Sequence, residues 1–154
     1  MRRLVSCAVL AVLLSGCANA EPNVMNEPPT TWSVPAKYVF TLTSDCGERA
    51  LLGKFRVTVE GDEVVRTEGL DDAARRALML RLANLVPTLQ QLEAEAESAR
   101  QKGAKVEVER DLGDAHPTRI TIDKSATVAD DESCYTIQDY TIGLAPEPSA
   151  SPSR

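Results

Sequence analysis

The sequence contains few of the residues on which enzyme and cofactor sites commonly depend. His116 is the only histidine among 154 residues, and only 4% of the residues are aromatic. Because zinc normally takes about four ligands from Cys, His or carboxylate, a single histidine argues against a zinc centre. The scarcity of aromatic rings argues against a sugar-binding cleft, and there is no phosphate-cradling glycine loop. We therefore expect no cofactor and no catalytic residues.

Positive charge is also scarce. The chain has 17 Lys and Arg against 23 Asp and Glu, which gives a formal net charge of -6 at pH 7. Nucleic-acid binding needs clustered Lys and Arg, and no stretch provides a basic patch, so we expect no nucleic-acid partner. The same balance argues against a domain that lies flat on anionic lipid.

No apolar run approaches the roughly 20 residues of a membrane-spanning helix, but residues 1–16 have the pattern of a secretory signal. Two arginines precede an apolar run from Leu4 to Leu14. The motif Leu14-Ser15-Gly16-Cys17 resembles the lipobox of bacterial lipoprotein signal peptides, in which the cysteine thiol receives a diacylglycerol. This resemblance implies lipidation at Cys17 and a location on the outer face of the cytoplasmic membrane.

Composition divides the remaining chain into three parts. Residues 17–36 are rich in proline and polar residues, which predicts a flexible tether. Residues 37–143 carry the patterns of a single folded domain, and residues 144–154 are rich in Pro and Ser and should be disordered. Trp32 in the tether either docks onto the domain or marks a contact surface, and docking is the favoured interpretation.

The domain begins with three strands. Apolar and polar residues alternate from Tyr38 to Leu42 and from Phe55 to Val59, which indicates strands with one buried face. Gly61-Asp62 suits a two-residue type II′ turn into a third strand. Three further strands follow the helices, around Val106, Ile120 and Tyr135.

A helical segment separates the two sets of strands. Paired acids at Asp71-Asp72 can begin a first helix, whose expected apolar face carries Leu78, Leu82 and Leu85. Thr88 and Gln91 form the pattern of a capping box for a second helix, which Gly103 ends. The apolar stripe of this second helix consists of Leu89, Leu92, Ala96 and Ala99.

The last strand has two apolar pairs that are out of phase. Tyr135 and Ile137 would face one side and Tyr140 and Ile142 the other. A bulge near Gln138-Asp139 would bring them into phase, and a strand buried on both faces is the alternative.

Two cysteines, Cys46 and Cys134, remain in the folded part. Outside the cytoplasm they are expected to form a disulfide, with two free buried thiols as the alternative. A bond from the end of strand one to the start of strand six makes these strands antiparallel neighbours. The predicted fold is therefore α+β, an antiparallel sheet of order 3-2-1-6-5-4 with one or two helices inserted between two meanders and packed on one face.

Two groups of polar residues are candidates for catalysis or for metal binding. His116 lies near Asp111 and Asp114, but the sequence lacks a Gly-x-Ser-x-Gly elbow, so a solvated turn residue before Pro117 is favoured over a hydrolase base. A second group of acids offers a weak calcium site that matches no EF-hand spacing, and loop solubility is favoured. These acids are Asp123, Asp130, Asp131 and Glu132.

Several motifs resemble an uncharacterised domain family found in actinobacterial lipoproteins. They are Tyr38-Val39-Phe40 leading to Cys46, Val57-Thr58-Val59, Val86-Pro87-Thr88-Leu89, the run from His116 to Asp123, and Asp130-Asp131-Glu132. The resemblance covers residues 37–143 and implies a compact lipoprotein domain without an assigned activity. The hypothesis is a lipid-anchored, noncatalytic module that binds another envelope protein, for example by strand addition at residues 64–67 or 106–109. The alternative is a small envelope enzyme or a ligand-binding lipoprotein.

Overall fold

Six strands and two helices follow one another along the chain in the predicted order. The computed structural model describes residues 31–143 apart from 48, 49, 83, 126, 129 and 130. The predicted signal peptide, Cys17, most of the tether and the C-terminal tail lie outside these residues. The elements are β1 (Lys37–Ser44), β2 (Gly53–Glu60), β3 (Glu63–Gly69), α1 (Asp72–Met79), α2 (Leu89–Gln101), β4 (Lys105–Arg110), β5 (Pro117–Asp123) and β6 (Ser133–Ile142).

The strands form one antiparallel sheet of order β3-β2-β1-β6-β5-β4, which confirms the predicted topology. β1 and β6 pair from Tyr38 opposite Ile142 to Ser44 opposite Tyr135 and so join the two meanders. α1 packs on β2 and β3, and α2 packs on β4 and β5. β3 and β4 are therefore the two edges of the described sheet. Neither helix in the described part of the chain has the length and apolar character needed to cross a membrane.

The disulfide that motivated this topology is present. Cys46 and Cys134 are bonded, with their Cα atoms 5.4 Å apart and a sequence separation of 88. Cys46 follows the end of β1 and Cys134 lies at the start of β6, so the bond joins the two meanders at their shared pair of strands. For a loop of this length, chain-entropy arguments give a stabilisation on the order of 4 kcal/mol.

The predicted bulge in β6 is also confirmed. Val39 pairs with Thr141 while Thr41 pairs with Gln138, so β6 carries one extra residue in this interval. Asp139 adopts a positive φ of 51°. Its Oδ2 accepts a hydrogen bond of 2.9 Å from Thr41 Oγ1. The bulge changes the phase of the strand and allows Tyr140 to pack against the core.

The core lies between the sheet and the helices. Every second residue of the central strands faces the helices, and these side chains are almost fully buried: Tyr38, Phe40, Leu42, Phe55, Val57, Val59, Ile120, Ile122, Tyr135 and Ile137. Trp32 joins this core with only 7% of its surface exposed. Its indole packs edge-on against Tyr38 and donates an Nε1–H hydrogen bond to the Tyr140 hydroxyl at 3.2 Å. Docking of Trp32 is therefore confirmed.

The second helix forms as predicted. Thr88 Oγ1 accepts from the Gln91 backbone N–H at 3.2 Å, and Gln91 Oε1 accepts from the Thr88 N–H at 2.9 Å. This is a complete capping box. Leu89, Leu92 and Ala96 are buried along the predicted stripe, and Gly103 ends the helical segment with a φ of 90°.

The predicted apolar face of the first helix is wrong. α1 ends at Met79, its buried residues are Ala74 and Ala77, and Leu82 lies beyond it with 52% of its surface exposed. The reason is the close approach of α1 to the sheet. A Cβ atom added at Gly53 would lie 2.4 Å from the backbone nitrogen of Ala74. Only small residues fit this contact, so the leucines are left to the connection between the helices.

Candidate functional site

The described surface contains an open groove of about 570 Å³ between the edge strand β3 and the connection from α1 to α2. One part of its lining is apolar, and consists of Val64, Leu78, Leu82, Leu85 and Val86. The other part is polar, and consists of Asp62, Glu63, Thr67, Asn84 and Gln91. The groove therefore has a lining of mixed character, in which polar atoms make up most of the exposed surface.

The hairpin between β2 and β3 forms one wall of the groove. Its two-residue turn has a positive φ of 65° at Gly61 and none at Asp62, which is the pattern expected of the predicted type II′ turn. In β3 the register shifts, because Val59 pairs with Val64 and Thr58 with Arg66. Val65 is the extra residue, and it is exposed on the edge strand. The shift leaves Val64 on the core side, where it lines the groove.

The connection between the helices forms the other wall. Leu78 and Leu85 pack partly against the core. Between them, Arg81 and Asn84 adopt positive φ values of 50° and 55°, which prevent α1 from continuing. The chain therefore turns, and Leu82 lines the groove instead of extending the helical face.

The lining determines what the groove can do. Among the described residues that line it there is no His, Cys, Ser, Lys or Arg, and its ionisable groups are the carboxylates of Asp62 and Glu63. Asp62 and Glu63 place two carboxylates at one end. A mixed polar and apolar lining, two carboxylates and an adjacent edge strand are features that an extended peptide with basic side chains could contact.

His116 is the second candidate for a catalytic or metal-binding residue. Its Nδ1 lies 2.5 Å from Asp114 Oδ1, and its ring stacks on Tyr140 with ring centroids 4.1 Å apart. Only 12% of the side chain is exposed. The prediction of a solvated turn residue is therefore wrong. The turn directs the imidazole inwards, because Ala115 adopts a positive φ of 62° and its carbonyl accepts a hydrogen bond from Arg110 Nη1.

The surroundings of His116 are those of a structural residue. In the described part of the chain, no serine or cysteine forms a hydrogen bond with its ring. The pKa of the Asp114 carboxyl is lowered, since burial opposes ionisation but the hydrogen bonds and charge of His116 outweigh it. Burial raises the pKa of Tyr140, although its hydrogen bond from Trp32 acts in the opposite direction. Trp32, Tyr140 and His116 thus form a packed stack that holds the N-terminal segment and the β4–β5 turn together.

Asp111, Asp114 and His116 also place their potential metal-ligating atoms within 4.8 Å of one another. The two carboxylates already have structural roles. Asp111 Oδ1 accepts from the Gly113 N–H at 2.7 Å, and Asp114 Oδ1 accepts from the His116 N–H at 3.1 Å. These contacts explain the cluster as the framework of the turn.

The acids predicted as weak calcium candidates are dispersed where they are described. Asp123 ends β5, and its Oδ1 accepts from the Ser125 N–H at 3.1 Å, which caps a turn. Glu132 is exposed, Asp131 is half-buried, and Asp130 lies outside the described residues. Among the described side chains, the groups with metal-ligand spacing include none of these acids. The other such group contains Cys46 and Cys134, whose sulfurs are bonded to each other.

Sequence comparison places the whole described fold in one family. The profile of DUF6174, a family of unknown function, matches residues 31–142. The chain belongs to the DUF6174 family. No curated protein and no solved structure matches it significantly. The DUF6174 match begins at Thr31, ahead of β1, and so includes Trp32 and its stack. Membership agrees with the expected uncharacterised domain and assigns no activity to the groove or to His116.

The groove is the feature that sequence reasoning missed. The edge strand at residues 64–67 was identified, but its apolar neighbour was assigned to a helix face. A usable signal was present in residues 78–85, which contain five Leu or Met side chains. So many large apolar side chains in eight residues exceed what one face of a helix can bury.

Proposed function

We propose that this DUF6174 protein is an exported bacterial lipoprotein whose folded domain is a noncatalytic interaction module on the outer face of the cytoplasmic membrane. The observation that carries the proposal is the groove of mixed polar and apolar lining beside β3, which is an edge strand of the described sheet. Its lining offers apolar, polar and acidic contacts for a partner. The partner is an extended segment of another envelope protein.

Strand addition explains how the groove and the edge strand β3 would act together. The outer edge of β3 presents backbone groups to which a partner strand can bind, and Val65 protrudes there. The groove then receives alternate side chains of the partner on the helix side of the sheet. Leu82 provides apolar contact and Asp62 provides charge for a basic residue.

Two features support export and anchoring. The Cys46–Cys134 disulfide agrees with an oxidising compartment. The Leu14 to Cys17 motif supplies the thiol for a lipid. Metabolic labelling with an alkyne fatty acid should mark the wild-type protein and leave Cys17→Ala unmarked. Equal labelling of the two proteins would contradict the anchor.

The interaction is tested by site-specific photocrosslinking in the native envelope. A photoreactive phenylalanine at Val65 should yield a discrete adduct, and Leu82→Asp in the same protein should abolish it. The matched control is the same probe at Leu112, which is 81% exposed on the turn next to the opposite edge strand. Equal adducts from both positions, or an adduct that survives Leu82→Asp, would contradict the groove as the binding surface.

A ligand-binding lipoprotein is the second candidate, because the groove volume of about 570 Å³ lies within the range of small-molecule sites. A compound that raises the melting temperature and loses this effect in Leu82→Asp would favour it. One test of the enzyme alternative uses the only histidine in the sequence. Activity on an ester, peptide or glycoside panel that His116→Ala abolishes would replace the present proposal.

A further inference from the structure

The end of α1 and the turn that follows it expose large apolar side chains next to one another. Met79 is 77% exposed, Leu80 56% and Leu82 52%. Leu82 lines the groove, whereas Met79 is the last residue of α1 and Leu80 is its C-cap. We call residues 75–82 the arginine turn, because Arg75, Arg76 and Arg81 flank these apolar side chains and are exposed.

The charge of this surface is opposite to that of the whole chain. Residues 73–92 contain three arginines and no Asp or Glu, although the chain carries a net charge of -6. Asp72 pairs with Arg75 at 2.7 Å. Among the described ion pairs, no acid contacts Arg76 or Arg81. The arginine turn therefore carries two arginines without an ion-pair partner in the described part of the chain beside Met79 and Leu80, while the carboxylates of Asp62 and Glu63 lie on the opposite wall of the groove that Leu82 lines.

We infer that the arginine turn docks onto an anionic lipid bilayer. Side chains at interfacial sites insert apolar groups at the level of the headgroups, while flanking Arg residues bind lipid phosphates. Met79 and Leu80 supply the first kind of contact and Arg76 and Arg81 the second. The acidic net charge predicts no such contact, but attraction to a surface decays within about 8 to 10 Å at physiological salt. The charges of Arg76 and Arg81, which lie beside Met79 and Leu80, consequently matter more for binding to the bilayer than the net charge of the chain.

The inference deepens the proposed function, since it rests on a domain that is held near the membrane. About 14 residues separate Cys17 from Trp32. A flexible chain of that length has a reach of roughly 20 Å, so a lipid at Cys17 would keep the domain within contact distance of the bilayer. Weak docking would then suffice, because the tether raises the effective concentration of the surface at the lipid.

Vesicle binding of a tryptophan variant tests the inference. Purified residues 18–154, which contain the whole described fold, are prepared as Leu80→Trp and, as a matched control, Leu112→Trp. Both positions are exposed and apolar, but Leu112 lies between Asp111 and Gly113-Asp114 instead of between arginines. Buried Trp32 gives the same background in both proteins. The emission of Leu80→Trp should shift to the blue with phosphatidylglycerol vesicles and stay unchanged with phosphatidylcholine vesicles.

Charge variants establish the role of the arginines. Arg76→Gln and Arg81→Gln in the Leu80→Trp protein should each weaken binding roughly fivefold, as expected for one cation near an anionic surface. Arg100→Gln, which changes an exposed arginine that pairs with Glu97, should leave binding unchanged. Added salt should weaken binding of the Leu80→Trp protein.

Three outcomes would overturn the inference. They are the absence of a shift with anionic vesicles, an equal shift for Leu112→Trp, and a shift that appears without lipid as the protein concentration rises, which would indicate a second copy. The assay contains no lipidated Cys17 and no partner protein. Failure of the anchor or of the groove would leave its result unchanged, so the two proposals can fail separately.

Discussion

The two helices pack on the same face of one sheet and bury different kinds of side chain. α2 inserts Leu89 and Leu92 into the core, whereas α1 presents Ala74 and Ala77 to a sheet surface where Gly53 lies against it. α2 therefore uses its large apolar residues for stability. The connection after α1 instead exposes Leu80 and Leu82 at the surface.

The close contact between α1 and the sheet is where the largest effect is expected. Gly53→Ala would place a Cβ atom 2.4 Å from Ala74 N at a residue with a φ of 120°. Backbone strain and overpacking together should lower the free energy of unfolding by about 3 to 4 kcal/mol. Urea unfolding with the disulfide intact measures this value.

Gly61→Ala is the matched control for that substitution. Gly61 also has a positive φ, but a Cβ atom there would have no neighbour within 4 Å. The expected loss is about 1 kcal/mol, from backbone strain alone. Similar losses at both glycines would show that packing against α1 is not the constraint.

A pair of leucine substitutions compares the two regions directly. Leu92→Ala removes a fully buried side chain and should lower the free energy of unfolding by about 3 kcal/mol. Leu82→Ala changes a half-exposed side chain and should alter it by about 0.5 kcal/mol or less. Chemical denaturation of both variants provides the comparison. A large loss at Leu82 would mean that the leucines of the connection are structural after all.

The start of α2 also depends on a buried tyrosine. The Tyr38 hydroxyl accepts a hydrogen bond of 3.3 Å from the Leu89 N–H. Burial raises the pKa of Tyr38 to about 12, from a model-compound value of 10.0. Between pH 10 and pH 12 the unfolded state binds fewer protons than the folded state. The contribution of the protonated Tyr38 hydroxyl to the free energy of unfolding is therefore complete below pH 10 and is lost as the pH rises towards 12.

The expected loss is at most about 2.7 kcal/mol over that interval. Urea unfolding at several pH values between 10 and 12 measures the slope. Tyr38→Phe should be less stable at neutral pH, because the Leu89 N–H loses its acceptor, and should show a smaller alkaline slope. An unchanged slope in Tyr38→Phe would assign the pH dependence to other groups.

Most of the fold was predictable from local patterns and one long-range constraint. Alternating residues identify the strands, and the capping box at Thr88 and Gln91 identifies the start of α2. The pairing of Cys46 with Cys134 determines that β1 and β6 are neighbours, which sets the strand order. These signals are reliable because each depends on the residues themselves or on a covalent bond.

The end of α1 and the position of His116 depend on contacts that are distant in sequence. The helix face of α1 is decided by glycines in β2 and β3, and nothing in residues 71–85 shows which strand they will meet. The burial of His116 depends on Tyr140, which the β6 bulge brings to the core side. Local periodicity carries no information about the contact of α1 with the sheet or of His116 with Tyr140. The groove is a consequence of the contact between α1 and the sheet.

A smaller effect than at Gly53 or Leu92 is expected from the caps of the two helices. Asp71 Oδ1 accepts from the Ala74 N–H at 2.7 Å, and its Oδ2 accepts from the Lys54 N–H of β2 at 3.0 Å. Thr88 caps its own helix through the Gln91 N–H. Asp71→Ala should therefore lower the free energy of unfolding by about 2 kcal/mol, and Thr88→Ala by about 1 kcal/mol. Asp71→Asn retains one acceptor and should recover about half of the loss. Equal values for the two alanine variants would show that Asp71 acts only as a helix cap, and that α1 is held to β2 by the glycine contact alone.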